Sequence, residues 1–371
     1  MFPSRTVPLR LAAVAAVLGL AACASGESPT FVAGPATPSP AAPGPATATA
    51  PPSGAAPSRT PRPAQPSATP SPRRTPSAGP ARAACAGFPA DSVWRADVSK
   101  LPVHRSSATY VNSIGAAAPM HPDFGAGRWE GAPIGIPVTV VRSGQRRVPV
   151  SFEYADESDP GPYPIPADAT VEGGPDGTGD RHVIVHDPAA CKVYELFAAR
   201  PAGGGWRAGS GAVFDLRSNR LRPAGWTSAD AAGLSVFAGL VRYEEVAAGR
   251  IGHAVRITVP RSRDSYVWPA RHAASASSDP ALPPMGLRLR LKASVDTSAM
   301  PRQARIIAEA MQRYGVIVAD NGSPWYLSGA PDERWSNSAL RVLKNLRGSD
   351  FEAVDTAGLM ADRNSGAVRA R

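Results

Sequence analysis

The stretch Leu287-Arg288-Leu289-Arg290-Leu291-Lys292-Ala293 alternates apolar and cationic residues without a break. Successive side chains of a strand point to opposite faces, so the three leucines and the alanine share one face and the three cations the other. The pattern predicts a β-strand with one face in a core. Its cationic face reads either as a solvated sheet surface or as the basic wall of a groove for an anionic chain.

Outward from this strand the same logic repeats. Pro133 to Val141, Arg147 to Tyr154, His182 to His186, Lys192 to Ala198, Ala212 to Leu216, Leu234 to Tyr243, His253 to Val259 and Tyr266 to Trp268 read as strands, most of them bounded by Gly, Pro, Asp or Asn. Helical spacing is confined to the end. Pro301 to Tyr314 sets Ile307, Ala310, Met311 and Tyr314 on one stripe before Gly315, and Ser336 to Leu346 repeats the logic with Leu340, Leu343 and Leu346 before Gly348. Between them Val316-Ile317-Val318-Ala319 reads as a buried strand running into the turn sequence Asp320-Asn321-Gly322. The fold class expected is mainly β: a β-sandwich or jelly-roll-like domain over 85–356 with a small C-terminal helical layer, preceded by a disordered stalk and followed by a flexible tail over 357–371. No internal repeat at solenoid or propeller periods interrupts it.

The chain start carries a different message. Arg5 and Arg10 precede the apolar run Leu11 to Leu20, which is too short to span a bilayer as a mature helix, and small residues follow. Residues 1–22 therefore read as a secretory signal peptide. Leu20-Ala21-Ala22-Cys23 resembles the lipobox of bacterial lipoproteins, and that resemblance implies acylation of Cys23 and a lipid-anchored protein on the extracytoplasmic face of the cell membrane. From Ala24 to Ala84 the chain is mostly Pro, Ala, Ser, Thr and Gly with scattered arginines, and has no aromatic or larger aliphatic residue after Val32. Such a segment lacks the apolar area to offset its chain entropy, so 23–84 reads as a disordered stalk.

Leader and stalk carry seven arginines against the single acid Glu27, which accounts for +6 of the chain's net +10 and leaves 33 bases against 29 acids from Cys85 onward. The fold itself has no cationic concentration, so nucleic-acid binding is a poor reading. With Cys23 acylated, Cys85 and Cys191 form the one pair open to a disulfide in an oxidising compartment, the alternative being two free buried thiols.

Four clusters could carry chemistry. The turn Tyr154-Ala155-Asp156-Glu157-Ser158-Asp159 places three carboxylates within four positions, and the proline-rich run to Pro166 stiffens it. Gly179-Asp180-Arg181-His182 joins an acid, a cation and an imidazole at a strand mouth, where the cation would hold Asp180 ionised. His121-Pro122-Asp123 is the third. The last is a set of aromatic loops: Trp268 with Arg271 and His272, Trp325-Tyr326 beyond Asp320, and Asp332-Glu333-Arg334-Trp335. Sugars present an apolar face and a rim of hydroxyls, so flat aromatics beside carboxylates point to a glycan or cell-wall polymer. Asp156, Glu157 and Asp180 are the expected acid/base or nucleophile set, with His121, His182, Trp268, His272, Asp320 and Trp335 lining the substrate. Each cluster also has a bland reading, as turn caps, surface ion pairs or core aromatics. The expected site uses no metal and no cofactor, and the absence of Walker, G-x-S-x-G and dinucleotide glycine patterns speaks against nucleotides and serine hydrolysis of that type.

Ala155 to Pro164, Gly211-Ala-Val-Phe-Asp-Leu216 and Asp320-Asn-Gly-Ser-Pro-Trp325 resemble stretches of a group of secreted proteins, several from actinobacteria. The resemblance implies a single secreted domain of this extent and transfers no catalytic residue.

Overall fold

Strand β12 (Arg288–Leu291) forms where the alternation predicts it. Leu287, Leu289 and Leu291 are buried in the main core with Ile306, Ile307 and Met311 of helix α4 (Arg302–Arg313). Gly286 leads into the strand at φ +82°, where an added Cβ would collide with Val267 O. The cationic face is neither solvated nor a continuous groove wall. Arg288 is 2% exposed and donates from Nε to Tyr314 O at 2.7 Å and from Nη2 to Val93 O at 3.2 Å. Arg290 donates to Val98 O and Leu101 O and pairs with Glu352 at 2.7 Å, while Lys292 donates to Ser349 O. The segment 93–101 runs outside every sheet, and these arginines satisfy its carbonyls.

The structure, a computed structural model, describes Cys85 and residues 87–369. The leader 1–22, the acylation of Cys23 and the stalk to residue 84 lie outside the described residues.

β12 belongs to a six-stranded mixed sheet in the order β1 (His121–Asp123), β14 (Tyr326–Ser328), β11 (Val255–Val259), β13 (Val316–Asn321), β12 and β15 (Phe351–Ala353). The β1–β14 and β11–β13 pairs are parallel and the others antiparallel. Ile257 faces Val318 but Thr258 faces Asp320, so Ala319 is an extra residue in β13. Such a bulge re-aims the side chains that follow it. Asp320 is the first of them.

A four-stranded sheet runs β10 (Ser210–Asp215), β7 (Lys192–Phe197), β6 (Val183–Asp187), β4 (Val138–Val140). The β6–β7 hairpin turns through Cys191, which is bonded to Cys85 across a Cα separation of 5.3 Å. Two smaller sheets complete the strands of the described residues: β5 (Val150–Phe152), β9 (Gly205–Ala208) and β8 (Arg200–Ala202), and the pair β2 (Arg128–Trp129) and β3 (Ala132–Pro133). The domain is strand-rich and helix-poor, as the periodicity predicts.

Four local expectations are corrected, the briefest being Tyr266 to Trp268, which forms no strand and holds only an isolated bridge from Tyr266 to Met285. Leu234 to Tyr243 is not a strand: it holds α2 (Val236–Gly239) and the first residue of α3 (Tyr243–Ala247). Ser235 Oγ caps α2 by accepting from Ala238 N, and the buried Glu195 carboxylate accepts from Val236 N and Phe237 N, so a residue distant in sequence supplies what the local apolar run conceals. Helices are not confined to the end, because α1 (Ser107–Ile114) buries Tyr110, Val111 and Ile114 on one stripe. The segment 357–369 is not a loose tail. It forms a short 3-10 turn over Ala357–Leu359 and bridges back through Ser92 to Ala367, Arg220 to Ser365 and Met360 to Val368. The second expected C-terminal helix begins as α5 (Asn337–Arg341), capped by Ser336, and continues as a 3-10 turn.

Candidate functional site

The end of β13 meets a cavity of about 190 Å³ whose lining includes Tyr154, Asp180, Phe197, His272, Asp320 and Asn321. Its chemistry is set by a buried polar layer beside it. Arg256, the second residue of β11, donates from Nε and Nη2 to the two oxygens of Asp230 at 3.1 and 2.8 Å and from Nη1 to Ser328 Oγ at 2.7 Å. A bidentate pair of this kind offsets the cost of burying both charges. Asp320 Oδ2 is left 3.8 Å from Arg256 Nη2, a weaker hold.

Asp320 therefore titrates abnormally. Burial pushes its carboxyl up to about 7, the negative charges of Asp230 and Asp180 add to the rise, and Arg256 only partly opposes it. A neutral carboxylic acid is a proton donor, and at neutral pH a large share of Asp320 is in that form. Asn321 adds an unused acceptor. Its Nδ2 donates to Ala274 O at 2.8 Å, while its Oδ1 is buried without a hydrogen-bond partner among the described residues.

His272 and Glu157 form one rim. His272 Nδ1 donates to Ala231 O at 2.8 Å, and Nε2 stands 4.0 Å from Glu157 Oε2. Glu157 Oε2 in turn accepts from Thr227 N at 2.9 Å. Arg222 pins the acidic turn behind this rim. It pairs with Asp159, donates to Glu157 O at 2.7 Å and lies over the Trp226 ring at 5.4 Å.

Of the expected residues, Asp180, His272 and Asp320 line the cavity and Glu157 abuts it. The others do not converge there. Asp156 is exposed on the 3-10 turn Ala155–Glu157. His182 is 1% exposed and has both ring nitrogens committed, Nδ1 to Glu172 Oε2 at 2.6 Å and Nε2 to Ala229 O at 2.9 Å. Burial lowers its pKa, but the Glu172 charge and hydrogen bond outweigh that and carry it to about 9, so it is a structural imidazolium and cannot bind substrate. Arg181 does not serve Asp180, because it turns to the carbonyls of Gly174, Pro175, Gly177 and Ala199. His121 stacks on Tyr326 at 4.2 Å. Trp335 is core, 5.1 Å from both Phe124 and Tyr243, with its indole donating to Ala330 O. Trp268 donates to Ser365 O and lines a different cavity.

Sequence reasoning missed Asp230, Arg256, Glu172 and Arg222. One signal was present: Arg256 stands alone in the apolar run Ala254-Val255-Arg256-Ile257, and a lone cation in a core strand requires a buried partner. Among the described residues no group of three or more His, Cys, Asp or Glu is placed to hold a metal ion, and no helix is long and apolar enough to cross a membrane. Comparison with protein families, curated proteins and solved structures gives no match for this chain.

Proposed function

We propose that this chain is a lipid-anchored protein of the extracytoplasmic membrane face whose cavity takes a sugar residue of a cell-wall or extracellular glycan and hydrolyses the glycosidic bond. The observation that carries the reading is the pairing, in one cavity, of a carboxyl held protonated near neutrality, Asp320, with a second carboxyl, Asp180. Glycoside hydrolysis needs one carboxylic acid as donor and one carboxylate as base or nucleophile. Asp320 protonates the leaving oxygen while Asp180 takes a proton from the attacking water, whose oxygen bonds to the anomeric carbon. Asn321 and His272 bring polar side chains to the sugar's hydroxyls, and Tyr154 and Phe197 give the ring an apolar surface. Of the residues expected from sequence, Asp156 has no part in this chemistry and Glu157 stands at the rim beside His272. The lipobox reading of Cys23 supports the location.

One observation favours a second reading, a non-catalytic glycan-binding module. No tryptophan lines the cavity, and its volume of about 190 Å³ suits one ring at a chain end rather than a cleft of several subsites. The full-length chain, incubated with cell-wall and extracellular polysaccharides and assayed for new reducing ends, separates the two. Hydrolysis predicts release by the wild type and a fall in kcat of about 10² to 10⁴ in Asp320→Asn and Asp180→Asn, with glycan binding retained. Release at the wild-type rate by both variants contradicts the assignment, and binding without release by the wild type establishes the module.

A further inference from the structure

A second cavity, of about 600 Å³, lies at the junction of the 263–271 segment, the start of β12 and the C-terminal stretch 354–364. Its lining holds four arginines, Arg263, Arg271, Arg288 and Arg363, against a single acid, Asp355. None of the four forms an ion pair with a carboxylate among the described residues. Arg271 and Arg288 are buried and hold their place through neutral acceptors: Arg271 donates to Arg222 O, Arg363 O and Asn364 Oδ1, and Arg288 to the carbonyls of Tyr314 and Val93. Carbonyls satisfy hydrogen bonds but leave the charge uncompensated. Arg263 is different. Its Nε is buried with no hydrogen-bond partner among the described residues, and its guanidinium carbon lies 6.0 Å from the centre of the Tyr110 ring.

Aromatic rings stand among the aliphatic residues of the same lining. Tyr110, Tyr266 and Trp268 contribute rings, and the Trp268 indole is fixed by its bond to Ser365 O at 2.8 Å. His104 accepts at Nδ1 from Ser106 N, so its proton sits on Nε2 and is a further donor. Unpaired guanidinium donors beside flat rings match an anionic group carried on a ring, the anion meeting the fork of Arg263 and the ring lying against the aromatic wall. We propose that this cavity is a binding site for a small ring-bearing organic anion, a phosphate ester or carboxylate on a planar apolar group, separate from the Asp320 cavity. The volume falls within the range of small-molecule sites. The site does not depend on the hydrolase reading.

Isothermal titration of the full-length chain with phenyl phosphate tests it, with inorganic phosphate and phenol as the fragments carrying charge or ring alone. Saturable binding of phenyl phosphate, about tenfold or more tighter than either fragment, is expected. Arg263→Ala and Tyr266→Ala should each weaken it about tenfold or more, while Asp320→Asn leaves it unchanged. Tyr266 is 38% exposed, so its truncation keeps the test valid if Arg263→Ala does not fold. Absence of saturable binding to the wild type overturns the proposal, as does affinity unchanged in both variants. Loss of binding in Asp320→Asn overturns it too, because that result assigns the ligand to the other cavity.

Discussion

Asp320 and His182 have pKa values displaced upward, with opposite consequences for charge. His182 is an imidazolium because Glu172 and Ala229 O take both of its protons, and its pKa of about 9 means that its stabilising charge is present below the ordinary 6.5 and is lost as pH rises through about 9. Asp320 is a carboxyl that burial keeps neutral. Its value rises from 3.8 to about 7, so the stability it contributes is present below pH 3.8 and disappears as pH rises through about 7, where the folded state must accept the charge. Asp320→Asn removes that burden. Urea unfolding of variant and wild type should show the variant gaining about 1 to 3 kcal/mol relative to wild type between about pH 4 and pH 8. A difference that does not change with pH contradicts the placement of a neutral carboxyl. Such a gain on losing a polar site residue is the expected trade of stability for function.

At the scale of the element, the strands with strict periodicity were legible and the exceptions share one cause. β12 and α4 appear where alternation and the 3.6 spacing place them, within one or two residues. The run Leu234 to Tyr243 has the composition of a strand, but Glu195 from β7 binds the first amides of α2, and no window around residue 235 contains that information. The cationic face of β12 departs from its expected reading for the same reason, since several of its acceptors lie almost two hundred positions away in the segment 93–101. The bulge at Ala319, which sets Asp320, is a register fact and has no local signature. The entrance to β12 is testable. Gly286→Ala forces a side chain into left-handed backbone and against Val267 O, and should lower unfolding free energy by more than about 2 kcal/mol. A variant within about 0.5 kcal/mol of wild type by chemical denaturation contradicts the geometry.

On the scale of the whole molecule, the disulfide and the polar layer hold parts that are distant in sequence. Cys85 to Cys191 closes a separation of 106 residues, for which loop entropy gives on the order of 4 to 5 kcal/mol, and it ties the domain's start to the β6–β7 hairpin. The candidate site draws Asp180 from the four-stranded sheet's approach, His272 from a loop and Asp320 from the six-stranded sheet. Sequence identified those three residues by chemical type, together with Glu157. It could not separate them from Asp156, His121, His182, Trp268 and Trp335, because membership of one cavity depends on how the two sheets meet. Asp230 and Arg256 were hidden because their roles exist only in the folded layer.

The measurement that bears most directly on the acid/base site is the carboxyl titration of Asp320, followed by ¹³C NMR in the full-length chain and in Asp180→Asn. The site predicts a midpoint of about 7 in the wild type, and a lower one in Asp180→Asn, because the Asp180 charge is part of what raises it. A midpoint near the ordinary 3.8, unmoved by Asp180→Asn, contradicts the pairing of these two carboxyls and with it the proposed chemistry.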